Sequence, residues 1–274
     1  MLRELAYAKL NLVLHVGRRR DDGLHPISSV MASIDLADEV VAGPSASGHD
    51  TVECRGVPGD NLAARALSEF RSRAGGELPP LAVVIDKRIP VAAGLGGGSA
   101  DAAATLRIAN SLAGNPLGRE ELLRLAADLG SDVPSQLEPR HAFVQGTGER
   151  IEAMTLPPLT AVLIPDPEGL STAAVYAELD RLDGGRAELH PGPLRRLAGS
   201  APSELVAALE NDLQPAALSL RPDLESRLEA LRGAGALGAA VSGSGPTCFG
   251  LFSDRAAADR AADQLPGALV AELR

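Results

Sequence analysis

Residues 5–16 alternate or run apolar, and Leu10, Leu12, Val13, Leu14 and Val16 predict a β-strand. Leu10 and Leu12 mark its core face, so Lys9 and Asn11, of the opposite parity, project together from the other face. A second strand-like span over 27–41 is broken in its pattern by Asp35 and by Asp38–Glu39. Thr51–Cys54 reads as a short strand and Gly56–Gly59 as a turn. Asp60–Asn61 can then cap a helix over 62–74, which Gly75–Gly76 ends. The apolar run Leu81–Ile85 predicts another strand, stopped by Pro90. After it a helix capped by Ser99 and opening at Ala100 runs to about Leu112. Arg119–Leu129 is amphipathic, with Leu122, Leu125 and Leu129 on one face and Gly130 as its C-cap.

Beyond His141–Val144 the chain reaches a proline-rich junction at Pro157–Pro158. A lobe boundary near 156 is expected there, dividing 1–156 from 157–274. Leu159–Ile164 is a buried-strand candidate, and Ser171–Thr172 caps a helix from Ala173 to Leu182 that carries Tyr176 in its first turns. A polar loop over 183–202 separates this from helices expected at 203–210 and 222–232, with Asn211–Asp212 tying down a helix end. Thr247–Phe252 reads as a strand and 254–265 as a surface helix. No solenoid-type repeat is present.

Two glycine-rich blocks change this picture from architecture to chemistry. In Pro90–Ala104, Gly94, Leu95, Gly96, Gly97, Gly98 and Ser99 lead into a helix, so backbone N–H groups and a helix dipole can hold phosphate. A flexible loop before an alanine-rich helix is the plainer alternative. The block is no P-loop, since Ser99–Ala100 stands where Lys-Ser/Thr is required, and no dinucleotide fingerprint, since the surrounding βαβ context is missing. In the second block Gly243 and Gly245 allow close backbone approach, while Ser242, Ser244 and Thr247 supply hydroxyls.

Isolated polar residues add candidates, each with a structural alternative. Lys9 and Asn11 can bind a hydroxyl or phosphate, or decorate an edge strand. His25, held extended by Pro26, can direct a hydrogen bond to a ligand, or simply belong to a solvated turn. Asp132, after a helix end, can orient an alcohol and accept its proton during phosphoryl transfer, or serve as a cap or surface charge. Lys9 and Lys87 are the sole lysines in an arginine-dominated chain, which gives each a functional hypothesis beside the plainer alternative of chance.

Composition bounds the partners. The 274 residues carry a net charge of -10, which argues against a general nucleic-acid surface. The sequence shows no membrane-length apolar segment and no secretory pattern, and Cys54 and Cys248 form neither a disulfide framework nor a metal cluster. A cytoplasmic protein with no membrane or nucleic-acid partner is expected, as a monomer or homodimer.

With these elements placed, the chain resembles the GHMP small-molecule kinase superfamily in three blocks: Leu5–Leu14, Pro90–Ala104 and Val241–Phe252. Within it, Ala8-Lys9-x-Asn11-Leu12, Asp22-Gly-x-His25, Gly94-Leu-Gly-Gly-Gly-Ser99 and Gly130-Ser-Asp-Val-Pro134 resemble the 4-diphosphocytidyl-2-C-methyl-D-erythritol kinase family. The resemblance implies a two-lobed α+β GHMP kinase fold, with an N-terminal lobe of mixed βα topology, a ferredoxin-like C-terminal lobe and a cleft between them. It also implies transfer of the ATP γ-phosphoryl group to the C2 hydroxyl of that family's substrate, in non-mevalonate isoprenoid precursor synthesis. ATP's phosphates would lie on Gly94–Ser99, following Pro90, with Asn61 and Lys87 near the nucleoside. Asp132 would be base or orienting group, and Lys9 would stabilise charge on the same hydroxyl. Asn11, Thr172, Gly243 and Ser244 would contact substrate, His25 would meet the cytosine edge, and Tyr176 would stack on it. Mg²⁺ is expected on the triphosphate, with no protein ligand assigned.

The sequence departs from the family pattern at Leu24, where a second stacking tyrosine is usual, and at Ser135–Gln136, where an aromatic pair is usual. Pro26 replaces an acidic residue and Ala100 a second loop serine. Leu24, Pro26 and Ser135–Gln136 bear on the acceptor side, so a GHMP kinase for another small alcohol stands as an alternative reading. A non-catalytic nucleotide-binding protein stands as a third.

Overall fold

The structure, a computed structural model, describes residues 1–55, 57, 61–75 and 78–274. Of the turn read at 56–59 only Val57 is described. Asp60 of the expected cap and Gly76 of the expected helix stop lie outside the described residues.

The chain opens with β1 (Leu2–Val16), β2 (Ile27–Pro44), β3 (Thr51–Cys54), α1 (Leu62–Ala74) and β4 (Leu81–Asp86). There follow α2 (Gly97–Leu112), α3 (Arg119–Leu129), α4 (Val133–Gln136), β5 (Ala142–Gly146), β6 (Arg150–Ala153) and β7 (Thr160–Ile164). Then come α5 (Thr172–Arg181), α6 (Pro191–Arg195), α7 (Pro202–Ala207), β8 (Glu210–Asn211) and α8 (Gln214–Leu220). The chain closes with α9 (Leu224–Gly233), β9 (Gly238–Val241), β10 (Cys248–Phe252), α10 (Arg255–Ala262) and β11 (Leu269–Glu272). These elements gather into two compact units, each built from separated segments.

The first unit comprises Met1–Ala8, Leu36–Val91 and Gly96–Pro139. Here β4 runs antiparallel to β2, from Asp86 opposite Glu39 to Leu81 opposite Pro44, and β3 lies parallel to β4. Leu81, Val83 and Ile85 of β4 are buried in the alternation that a half-covered strand requires. Helix α1 turns Ala63, Ala66, Leu67 and Phe70 inward, the i, i+3, i+4, i+7 stripe of an amphipathic helix. It packs on α2, whose buried Ala100, Ala102, Ala103 and Ala104 are small enough to let two helix backbones approach.

The second unit comprises Lys9–Asp35, Ala92–Leu95 and Arg140–Arg274. The N-terminal part of β2 pairs antiparallel with β5, and β5 with β6. Near its end β1 pairs in parallel with β8, Leu14 opposite Asn211. A separate antiparallel sheet has the order β11-β7-β10-β9. With α5 following β7 and α10 joining β10 to β11, this is the ferredoxin-like arrangement expected of the C-terminal part. Val175, Leu179, Leu228, Leu231, Ala258 and Ala261 from its helices meet Val162, Val241 and Phe252 in one core.

Several boundaries differ from the sequence reading. β2 continues without a break through Asp35 and Asp38–Glu39, because those carboxylates find partners. Asp35 accepts Glu272 N at 2.7 Å, and buried Asp38 accepts Arg88 N and Ile89 N at 2.6 and 2.8 Å. The helix expected over 203–210 stops at Ala207, since residues 210–211 join β1 instead. The second expected helix spans Leu224–Gly233. The loop over 183–202 contains the short α6, and α8 is an addition that its Pro215 at the helix start accommodates.

Candidate active site

In the first unit the glycine block differs from its reading in one consequential way. Helix α2 opens at Gly97, not Ala100, and its N-cap is Gly96 with φ +71°, so Ser99 lies inside the first turn. A glycine offers no side-chain cap, and the N–H groups of Gly97, Gly98 and Ser99 have no intrahelical acceptor. A Cβ added at Gly98 would meet nothing within 4 Å. Open donors at the head of a 16-residue helix suit an anion such as a polyphosphate. Pro90, half-buried, precedes them and ends the approach from β4.

Beneath the start of α2, Lys87 donates to Asp38 Oδ2 at 2.5 Å and to Asp101 Oδ2 at 2.7 Å. Both carboxylates are buried, and Asp101 Oδ1 has no hydrogen-bond partner. Burial, opposed by Lys87 and reinforced by the Asp38 charge, pushes the Asp101 carboxyl up to about 7. Burial works to lower the Lys87 pKa, but Asp101 and Asp38 outweigh it and hold the ammonium above its ordinary range. Asn61 is the N-cap of α1, its Oδ1 accepting Ala63 N at 2.8 Å. Asp132 is half-buried at the N-cap of α4, a short helix where a polar step was expected. Its carbonyl accepts Ser135 Oγ at 2.8 Å.

In the second unit Lys9 and Asn11 do share one face of β1. Lys9 Nζ donates to Asn11 Oδ1 at 2.6 Å, Asn11 Nδ2 donates to Ser29 Oγ at 2.9 Å, and Ser29 Oγ donates to Val13 O at 2.8 Å. Lys9 and Asn11 are only 5% and 3% exposed, which fixes an otherwise flexible ammonium. Leu95 contributes its backbone, accepting Lys9 N at 3.0 Å, while its side chain is buried. The second glycine turn closes on the same place. A Cβ on Gly243, at φ +58°, would lie 3.1 Å from Asn11 Oδ1 and 3.2 Å from Lys9 Nζ. At Gly94, φ +74°, a Cβ would fall 2.4 Å from Ser242 O and 2.7 Å from Gly245 O, so only glycine fits. Thr172 and Ser244 join through their hydroxyls at 2.9 Å.

His25 and Tyr176 also meet, their ring centroids 5.0 Å apart and tilted by 40°. His25 Nδ1 lies 2.9 Å from Gly17 O, where it donates, and Nε2 lies 3.3 Å from Asp180 Oδ1. Helix α5 thus presents Tyr176 and Asp180, one turn apart, to the same imidazole. Both ring nitrogens face protein acceptors. Leu24 is 52% exposed.

Among the described residues no group of three or more His, Cys, Asp or Glu side chains is gathered for a metal. No helix among the described residues is long and apolar enough to cross a membrane.

Residues 61–138 match the family described as GHMP kinases N terminal domain, and residues 194–271 match GHMP kinases C terminal. A 4-diphosphocytidyl-2-C-methyl-D-erythritol kinase of Streptomyces coelicolor is 45% identical over 92% of this chain and 88% of its own. One from an Anaeromyxobacter species is 44% identical over 95% of this chain and 85% of its own. The chain belongs to the 4-diphosphocytidyl-2-C-methyl-D-erythritol kinase family of GHMP kinases. A crystal structure of 4-(cytidine 5'-diphospho)-2C-methyl-D-erythritol kinase superposes with TM-score 0.82 and 34% identity, covering 99% of this chain and 98% of the other. The L. major mevalonate kinase, at TM-score 0.75 and 15% identity over 100% of this chain and 96% of its own, shares the fold. As a member of this family the protein is an ATP-dependent small-molecule kinase with the two-lobed α+β GHMP fold.

The sequence reading missed Asp38, Asp101, Ser29 and Asp180, each now in direct contact with a candidate. Asp101 carried a usable signal, a lone carboxylate within an alanine-rich run where a charge needs a buried partner, whereas Asp38, next to Glu39, read only as a break in the strand pattern. Ser29 and Asp180 carried none.

Proposed function

We propose that the protein phosphorylates the C2 hydroxyl of 4-diphosphocytidyl-2-C-methyl-D-erythritol with ATP, giving the 2-phosphate and ADP for non-mevalonate isoprenoid precursor synthesis. The observation that carries this reading is the buried Lys9–Asn11 pair closed off by Gly243. An ammonium held at one point, out of bulk water, is what a hydroxyl developing negative charge requires. The named function of relatives at 44–45% identity supports the acceptor.

In this reading Asp132 orients the acceptor hydroxyl and takes its proton, while Lys9 stabilises the oxygen that attacks phosphorus. Asn11 fixes Lys9 and binds substrate. The N–H groups from Gly94 to Ser99 hold the ATP phosphates, following the turn set by Pro90. Asn61 and Lys87 border the nucleoside. Mg²⁺ would travel with the triphosphate and neutralise its charge. Tyr176 stacks on cytosine, His25 hydrogen-bonds the base edge, and Thr172, Gly243 and Ser244 line the substrate. The lobes are read as 1–156 and 157–274, and the two family matches fall on either side of that boundary. The enzyme is read as cytoplasmic, a monomer or homodimer.

The test is ADP release with ATP, Mg²⁺ and the purified diphosphocytidyl substrate, with the product checked for phosphate at C2. Asp132→Asn and Lys9→Ala should each lower turnover by roughly 100-fold or more while ATP binding persists. Unchanged turnover in either would remove that residue's role. The exposure of Leu24 favours a second reading, a different alcohol acceptor. Absence of product from folded, ATP-binding enzyme would turn the assignment to it.

A further inference from the structure

The turn Ser242–Gly245 is held from two directions. Ser242 Oγ donates to Gly94 O at 3.1 Å, tying the turn to the first glycine block. From the opposite direction the Asn211 side-chain amide donates both of its protons, to Val241 O and to Gly243 O, each at 2.8 Å. Its Oδ1 accepts Leu213 N at 2.9 Å, so all three polar functions of the amide are used, and the residue is 7% exposed.

The backbone of Asn211 is fixed as well. It pairs opposite Leu14 of β1, Asp212 N donates to Leu14 O at 2.9 Å, and Val16 N donates to Asp212 Oδ2 at 2.8 Å. β1 is the strand that carries Lys9 and Asn11. Gly243, whose carbonyl Asn211 grips, is the residue that closes on Asn11 Oδ1 and Lys9 Nζ. One side chain therefore links the strand bearing the ammonium to the turn packed against it.

We propose that Asn211 is a positioning residue for phosphoryl transfer, setting the distance between Gly243 and the Lys9 ammonium. The proposal rests on the reading that Lys9 acts on the acceptor hydroxyl. A side-chain amide suits the task because it pairs two donors with one acceptor in a plane. Aspartate has the same outline but turns an oxygen toward two carbonyls, leaving buried acceptors unpaired. Serine keeps one donor on a shorter arm.

The experiment is a double-mutant cycle in the full chain: Asn211→Asp and Asn211→Ser, each alone and with Lys9→Ala. ATP dissociation constant, acceptor KM and kcat are measured with Mg²⁺ and the diphosphocytidyl substrate. With Lys9 present, each Asn211 variant should lose roughly 30-fold in kcat with ATP affinity within about twofold, but less than about threefold in the Lys9→Ala background. Equal losses in both backgrounds would overturn the proposal, as would a fall in ATP affinity that matches the fall in kcat. Failure of both Asn211 variants to fold would also overturn it, making the residue a folding determinant. Undiminished turnover of Lys9→Ala alone would instead fault the reading of Lys9, and the proposal with it.

Discussion

Lys87 holds two buried carboxylates, so its loss acts through what it leaves behind. Lys87→Met would strand Asp38 and Asp101 without a counter-charge and should cost about 3–5 kcal/mol in urea unfolding, as breaking a buried ion pair does. Asp101 adds a pH dependence with a definite sign. Its carboxyl ordinarily titrates near 3.8 and is pushed up to about 7 in the fold. Between those values the folded chain keeps a proton that the unfolded chain has released. Its contribution is therefore fully present at low pH and lost as pH rises through about 7. Lys87, raised above its ordinary 10.5, changes stability only at far higher pH. From pH 5 to 8 the urea midpoint of the parent should fall with pH relative to that of Asp101→Asn, the difference that isolates this carboxyl. Gly94→Ala would set a Cβ against two carbonyl oxygens of the second turn. A loss of about 2 kcal/mol or more is expected in the same assay, because backbone atoms cannot yield as a side-chain tip can.

At the scale of elements, Asn61 caps α1 and is proposed to border the nucleoside, two duties that separate chemically. Its Oδ1 caps α1, so Asn61→Ala should cost about 1 kcal/mol of stability. Asn61→Asp keeps the capping oxygen and removes the amide donor. It should unfold within about 0.5 kcal/mol of the parent while binding ATP more weakly, as calorimetry would show. An unchanged ATP affinity would confine Asn61 to capping. The helix and strand patterns were largely legible: α1, α3, β3 and β4 sit where periodicity put them. The start of α2 was not. A serine reads as the natural cap, yet the helix starts at Gly97 with Gly96 as its cap. Likewise the polar breaks expected in β2 vanish, because Asp35 and Asp38 accept main-chain N–H groups from segments far away in sequence.

For the molecule as a whole, acceptor recognition can be tested at residue 24. Tyr176 has His25 as neighbour and Leu24 stands exposed, and in the function proposed above an aromatic at residue 24 would give the base its second stacking face. Leu24→Tyr should lower the KM for the diphosphocytidyl substrate several-fold, the lower part of the roughly 1–3 kcal/mol that base stacking provides. The KM for ATP should not move. An unchanged acceptor KM would mean that the base does not lie beside residue 24.

The family, most of the element order, the two glycine blocks and the joint projection of Lys9 and Asn11 were legible in the sequence alone. Those follow from local pattern: side-chain parity on a strand, the stripe of a helix, and the absence of a Cβ where backbone must come close. Tertiary structure decided which polar groups meet. Lys87 lies on Asp38 and Asp101 across 49 and 14 residues, and Asn211 reaches Gly243 across 32. It also decided that His25 has both ring nitrogens against protein acceptors. A buried polar group must find a partner wherever the fold supplies one, and sequence separation carries no record of that distance.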